Sequence, residues 1–230
     1  MGDMDDFLSD SAALFGDVSP ADDTIRYGPL VLTVAPKANT LLADHLFSPS
    51  LLLAELIERG IISLRAKTVV ELGAGCALPS LLASTLPEPP SLVAITDYPD
   101  DVIMKNLSDN VERNRPHLSD KCKVHACGYE WGRDVGPLLG FDVVIMSDLL
   151  HFDGSHDVLV QSLTSLLRHD PSARTYVAAG KYTAPHVCDH FVEEAKRAGI
   201  LLEEQEVKDV EQLGVRKGMS RWWIGRWVDI

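Results

Sequence analysis

Hydrophobic and polar positions alternate at two periods along this chain, and the changes of period divide it into elements. Residues 1 to 23 are acidic and rich in Ser and Ala, with one short apolar helix expected around Phe7 to Phe15, and read as a loosely docked arm. Ile25 to Val34 carries β-formers around Gly28-Pro29, the pattern of a hairpin or edge strand. Ser48-Pro49 reads as a helix start, with serine as N-cap and proline at the first helical position. The apolar run Leu51 to Ile57 supports that helix, and Gly60 ends it.

From residue 67 onward short apolar β-branched runs alternate with helical spacings. Strands are expected at Lys67 to Leu72, Ser91 to Thr96, Lys121 to Cys127, Phe141 to Met146 and Thr175 to Ala179. Helices are expected at Leu78 to Leu86, Asp101 to Arg115, Val158 to Leu167 and Pro185 to Ala198; Pro116 stops the second and Gly199 the last. Alternation at this spacing builds right-handed βαβ units, so a parallel sheet with helices on both faces is expected. Ile200 to Val207 and Arg221 to Val228 lack an intervening helix, so they are expected to pair as a reversed hairpin at the sheet edge. Trp222, Trp223 and Trp227 in the last strand should alternate between the core and the sheet surface. Without repeats or low-complexity linkers, the chain divides into an arm, 1–23, and one domain, 24–230.

Composition narrows the function classes. A chain of 230 residues with 46% hydrophobic and 24% charged residues fits one soluble α/β domain with a filled core. The formal net charge of −13 argues against nucleic acid, whose phosphates need clustered cations, and favours a basic or amine-bearing partner. The acidic start does not resemble a secretory signal, and no window approaches a membrane span. Cys76, Cys122, Cys127 and Cys188 form no Cys-x-x-Cys pair and read as reduced thiols, not as a metal site. The expected address is the cytoplasm.

Thr68 to Ser80 carries the chemistry. A β-branched run ends in Glu71, passes through the Gly73-Ala74-Gly75 turn and enters a new apolar segment. Glycines relieve the steric limits of such a turn and leave room for a nucleotide-like group, although a bare turn gives the same letters. Three strands end in acidic residues, Glu71, Asp97 and Asp148, at the sheet edge where α/β ligands bind. Asp97 follows the turn by about 20 residues, the distance at which a carboxylate accepts both ribose hydroxyls. A nicotinamide-dinucleotide enzyme would want a third glycine where this chain has Leu78, and would not end in a reversed hairpin. Those differences favour S-adenosyl-L-methionine as the nucleoside ligand.

The run Val70-Glu71-Leu72-Gly73-Ala74-Gly75-x-Ala77-Leu78-Pro79-Ser80-Leu81 is followed by Thr96-Asp97-Tyr98-Pro99-Asp100 and Asn106-Leu107-x-x-Asn110. Tyr129-x-Trp131-Gly132, Ser147-Asp148-Leu149-Leu150 and Ser155-His156 come later. Together they resemble a group of seven-strand methyltransferases, the fungal nicotinamide N-methyltransferase-like proteins. That group includes N-terminal and lysine methyltransferases of a translation elongation factor. The resemblance runs over roughly residues 40 to 228.

It implies a Rossmann-like α/β fold with a seven-stranded, mostly parallel sheet and S-adenosyl-L-methionine as cofactor. Glu71, Gly73 and Gly75 would lie under its methionine and ribose parts, Asp97 would hold the ribose, and Tyr98 and Trp131 would flank the adenine. Asp148 would sit beside the transferring methyl. Phe47 stands where the family brings a tryptophan to the cofactor, and Ala77 replaces a third glycine. Asp148, Tyr182, Asp153, His151 and His156 are the candidates around the acceptor mouth, with Asp148 and Tyr182 taken as catalytic. The expected reaction is direct transfer of a methyl to a protein amine, lysine or N-terminal, by a monomeric enzyme. The alternatives are a small nicotinamide-like amine as acceptor, or a non-catalytic cofactor-binding protein.

Overall fold

Chain order and hydrogen bonding resolve the sequence pattern into two sheets. The computed structural model describes residues 24–36, 46–136, 138, 140–206 and 220–228. The N-terminal arm, the helix expected at Phe7 to Phe15 and the end of the strand expected to reach Val207 lie outside the described residues. Strands β1 (Thr24–Tyr27) and β2 (Leu30–Thr33) form the antiparallel hairpin expected around Gly28-Pro29. Helix α1 (Ser48–Glu58) follows. Ser48 is its first helical residue and not its N-cap. The extended Phe47 holds the cap position without a side-chain cap, while Ser48 Oγ lies 2.9 Å from Ser220 Oγ. At the other end Gly60, at φ +71°, donates to Ile57 O, and Ile61 donates to Leu56 O. This Schellman turn requires a left-handed residue, which is why a glycine ends the helix.

The large sheet is built from β3 (Thr68–Leu72), β4 (Leu92–Asp97), β5 (Lys123–Gly128), β6 (Val143–Ser147), β7 (Arg174–Gly180), β8 (Ile200–Glu204) and β9 (Ser220–Trp227). Helices α2 (Leu78–Thr85), α3 (Asp101–Asn114), α4 (His156–Leu166) and α5 (Pro185–Arg197) connect them. The strand order is β5-β4-β3-β6-β7-β9-β8. Strands β3 to β7 pair in parallel, and β9 runs antiparallel to both β7 and β8. The reversed C-terminal pair is therefore present, and β9 is the member that runs against the sheet. The order turns back between β3 and β6, which puts the topological switch beside the Gly73-Ala74-Gly75 turn.

Burial explains the order. All five residues of β6 and the last four of β3 are buried, as befits central parallel strands covered on both faces, whereas the edge strand β5 alternates exposed and half-buried residues. One apolar layer joins Val69, Ile95, Leu53, Leu81 and Leu107 under α1, α2 and α3; the other joins Val70, Met146, Leu163 and Phe191 under α4 and α5. Trp222 enters the first layer and Trp223 the second, and both are buried, so the expected alternation between core and surface is not found: apolar layers cover both faces of the sheet here.

Candidate functional site

A cavity of about 290 Å³ opens at the carboxyl ends of β3, β4 and β6. Its floor is the β3–α2 turn. Gly73 (φ +55°) and Gly75 (φ +56°) take left-handed backbone, and so does Ala77 (φ +64°) at the cap of α2. A Cβ on Gly73 would stand 2.6 Å from Leu149 Cδ2 and 3.3 Å from Trp131 Cζ2, so the turn can approach those side chains only as glycine. A Cβ on Gly75 would meet nothing within 4 Å: here glycine leaves space open beside the cavity.

Asp97 pins this turn. Its Oδ2 accepts Gly75 N–H at 2.7 Å and its Oδ1 accepts Tyr98 N–H at 2.7 Å. Burial raises its pKa above the usual carboxylate value, opposed by those two backbone donors. Each carboxylate oxygen keeps further acceptor capacity toward the cavity that Asp97 lines. Tyr98, Tyr129, Trp131 and Phe152 give the same end aromatic walls, with the Trp131 and Phe152 rings edge to face at 5.6 Å. The Trp131 loop is tied to α4 by Ser162, whose Oγ accepts Gly132 N–H at 2.8 Å and lies 3.1 Å from Tyr129 Oη.

Asp148 forms the opposite wall. It is buried at φ +61°, a conformation that costs a non-glycine residue of order 1–3 kcal/mol and so marks a site whose surroundings enforce it. Here β7 and its exit turn do so: Asp148 N–H donates to Ala178 O at 2.8 Å, Gly180 N–H donates to Oδ1 at 3.2 Å, and Tyr182 Oη donates to Oδ2 at 2.5 Å. Gly180 is required because a Cβ there would overlap the Tyr182 ring. Tyr182 meets Phe47 edge to face at 6.0 Å, which carries the wall round to α1.

The sequence-derived residues fall into two groups. Phe47, Gly73, Gly75, Asp97, Tyr98, Trp131, Asp148 and His151 line the cavity. Glu71, Tyr182, Asp153 and His156 do not. Glu71 lies fully buried under the turn, its Oε2 accepting Ser80 N–H at 3.2 Å, and burial pushes its pKa up to about 8. Tyr182 stands behind Asp148. His156 is a pin between α4 and α5: its Nε2 lies 2.8 Å from Leu150 O and its Nδ1 3.0 Å from His190 Nδ1. Ser155 occupies the cap of α4 but makes no side-chain cap bond. Burial drives the His151 pKa down to about 4, partly offset by a hydrogen bond with the Asp148 backbone, so this imidazole is neutral at pH 7. Phe152 and Ser50 also line the cavity and were not singled out by sequence, while Ser147 and Leu149 stood there only as letters of the Ser147-Asp148-Leu149-Leu150 run.

These residues fit an S-adenosylmethionine-sized ligand. The open space at Gly75, the carboxylate of Asp97 and the aromatic walls suit a nucleoside. At the other end Ser147 Oγ is buried on the cavity-lining residue with no hydrogen-bond partner among the described residues. Among the described residues no His, Cys, Asp and Glu cluster is arranged to hold a metal ion.

In fold, the chain is similar to solved methyltransferases. One is a methyltransferase from Pyrococcus furiosus, at TM-score 0.62 and 14% identity, covering 96% of each chain. Another is M. jannaschii TYW2 in complex with AdoMet, at TM-score 0.52 and 15% identity, covering 88% of this chain and 83% of that one. That places it in the methyltransferase class of α/β folds. The chain belongs to the lysine methyltransferase family, whose family model matches residues 30–197. It is 32% identical over 149 residues to the protein N-terminal and lysine N-methyltransferase efm7 of Schizosaccharomyces pombe, a match covering 61% of this chain and 56% of that protein. It is 29% identical over 211 residues to the Neurospora crassa protein of the same name, covering 80% of this chain and 73% of that one. With the Gibberella zeae relative the match again spans little more than half of the relative's length, 58%.

Proposed function

We propose that this protein is an S-adenosylmethionine-dependent N-methyltransferase whose acceptor is an amine on another protein, a lysine side chain or an N-terminus. One observation carries the reading. Two buried carboxylates, Asp97 and Asp148, flank a glycine turn at the switch point of the sheet, one ready for ribose hydroxyls and the other fixed at the far wall. The relatives' names, protein N-terminal and lysine N-methyltransferase, support the protein acceptor. The acidic surface, at net −13, favours a basic partner. A translation factor as that partner, a monomeric enzyme and a cytoplasmic address belong to the same reading.

The cofactor, when bound, supplies a methyl already activated on a sulfonium. The protein's task is to align a neutral amine behind it and to exclude water. Asp97 would accept the ribose hydroxyls, Tyr98 and Trp131 would flank the base, and the Gly73 to Gly75 backbone would lie beneath, with Glu71 supporting the turn from below. Asp148 accepts an N–H of the incoming amine and so turns its lone pair toward the methyl. Tyr182 donates to Asp148 and holds it in place, and Phe47 closes the wall against water. His151, neutral, adds no positive charge to repel an acceptor that arrives from its ammonium form.

The test is a pair of variants. Asp97→Ala is expected to lower S-adenosylhomocysteine affinity by about 1–3 kcal/mol, read by titration calorimetry. Asp148→Asn is expected to keep that affinity and lose methyl transfer. Unchanged affinity in the first, or unchanged turnover in the second, removes the corresponding assignment.

A further inference from the structure

Helix α3 presents three asparagines, Asn106, Asn110 and Asn114, one turn apart and all buried. A stripe of amides between apolar residues does not bury itself without partners, and here the partner is a strand edge. Asn114 Oδ1 accepts Val31 N–H at 2.8 Å while its Nδ2 donates to Val31 O at 2.8 Å. Asn110 repeats this on Thr33, accepting its N–H at 2.9 Å and donating to its O at 2.8 Å. Asn106 completes the row, donating to Thr33 O at 3.0 Å and accepting Thr33 Oγ1 at 2.8 Å. Each carboxamide presents an N–H and a carbonyl side by side, as the N–H and C=O of one strand residue do. Four residues of helix rise about 6 Å. Two residues of strand span about 6.7 Å. The helix therefore stands in for a neighbouring strand along the outer edge of β2.

Asn110 does more than anchor. Its Nδ2 also lies 3.4 Å from Cys76 O, in the glycine turn, and Cys76 lines the cavity. The two amide hydrogens of one side chain thus address two different segments, the cofactor turn and the N-terminal hairpin. Arg113 donates to Asn110 Oδ1 at 2.6 Å and fixes the amide plane. Asn114 and Asn106 make no such bond to the turn.

We infer that Asn110 is a positioning residue that couples the cofactor turn to the β1–β2 hairpin, so that filling the cavity and docking the hairpin are linked. Linkage of this kind is reciprocal: a ligand that steadies Cys76 must steady Thr33 to the same degree. The inference rests on the reading of the cavity as the S-adenosylmethionine site.

The experiment uses the full chain and S-adenosylhomocysteine as probe, with affinity by calorimetry and amide hydrogen exchange of residues 24–33. In the wild type, saturating probe should slow exchange at Val31 and Thr33. Asn110→Ala should lose about fivefold or more in affinity and lose the exchange response. Asn114→Ala removes one anchor of the hairpin but leaves the Asn110 bond to the turn, so it should show a similar fall in Tm, cost clearly less affinity than Asn110→Ala and keep the response. Hairpin exchange indifferent to bound probe in the wild type overturns the coupling, even if the Asn110 variant fails to fold. Equal affinities of the two variants overturn it as well. A wild type that does not bind the probe overturns the cofactor reading, and the coupling with it.

Discussion

Glu71 shows how burial sets the state of a carboxylate under a glycine turn. Desolvation lifts its pKa from the ordinary 4.5 to about 8, more than the Ser80 contacts lower it. The folded protein therefore holds a proton that the unfolded chain releases above pH 4.5. The stabilising difference is full below pH 4.5 and is lost as pH rises through 8, and Asp97, also raised, acts in the same direction. Glu71→Gln, which copies the protonated form, should match the wild type in Tm near pH 5 and exceed it at pH 8. A variant less stable than the wild type at both values would show that the ionised carboxylate is the folded form. Sequence placed Glu71, Asp97 and Asp148 at one edge because strand ends are legible from β-branched runs. It did not show that Glu71 sits below the turn and Tyr182 behind Asp148, since depth depends on side-chain packing that no single strand encodes. Nor did it mark Asn110 as buried: Asn106 and Asn110 stood out only as part of a family pattern, because their partners lie 73 to 77 residues away on β2.

At the scale of elements, two glycines separate fold from site. Gly225 sits in β9, where a Cβ would overlap Thr175 Cγ2 of β7 and come within 2.7 Å of Leu202 Cδ2 of β8. Overpacking of this sort costs about 1–3 kcal/mol, so Gly225→Ala should lower Tm while the folded molecules keep their turnover. Gly180→Ala instead displaces the Tyr182 ring from Asp148 and should lose turnover well beyond its loss of Tm. Calorimetry beside a methyl-transfer assay reads both, and the reverse pattern would detach Tyr182 from the reaction. The elements themselves were largely readable, since short apolar β-branched runs alternate with helical spacings from Thr68 to Ala198. The errors fall at boundaries. Ser48 reads as a cap because serine before proline suits one, yet its hydroxyl faces Ser220, 172 residues away. Val102, apolar in the first turn of α3, is 38% exposed, because the buried row runs through Ile103, Leu107 and Val111.

For the whole molecule, strand order is the part that sequence could not supply. Alternation predicts parallel units and a reversed pair near the end, but the place of β9 between β7 and β8 is fixed by which apolar faces meet, with Trp222 and Trp223 filling opposite layers. That order puts the glycine turn at the switch point and Asp148 against β7, so the site is a consequence of the topology. The net charge of −13 is the whole-molecule feature that favours the proposed basic acceptor protein. The central claim is methyl transfer to a protein amine. It is tested most directly by incubating the protein with S-adenosylmethionine labelled in its methyl group and a cell extract, then separating protein from small molecules. The account predicts label in a discrete protein band, on a lysine or an N-terminus, and none with the Asp148→Asn variant. Label confined to the small-molecule fraction would contradict it.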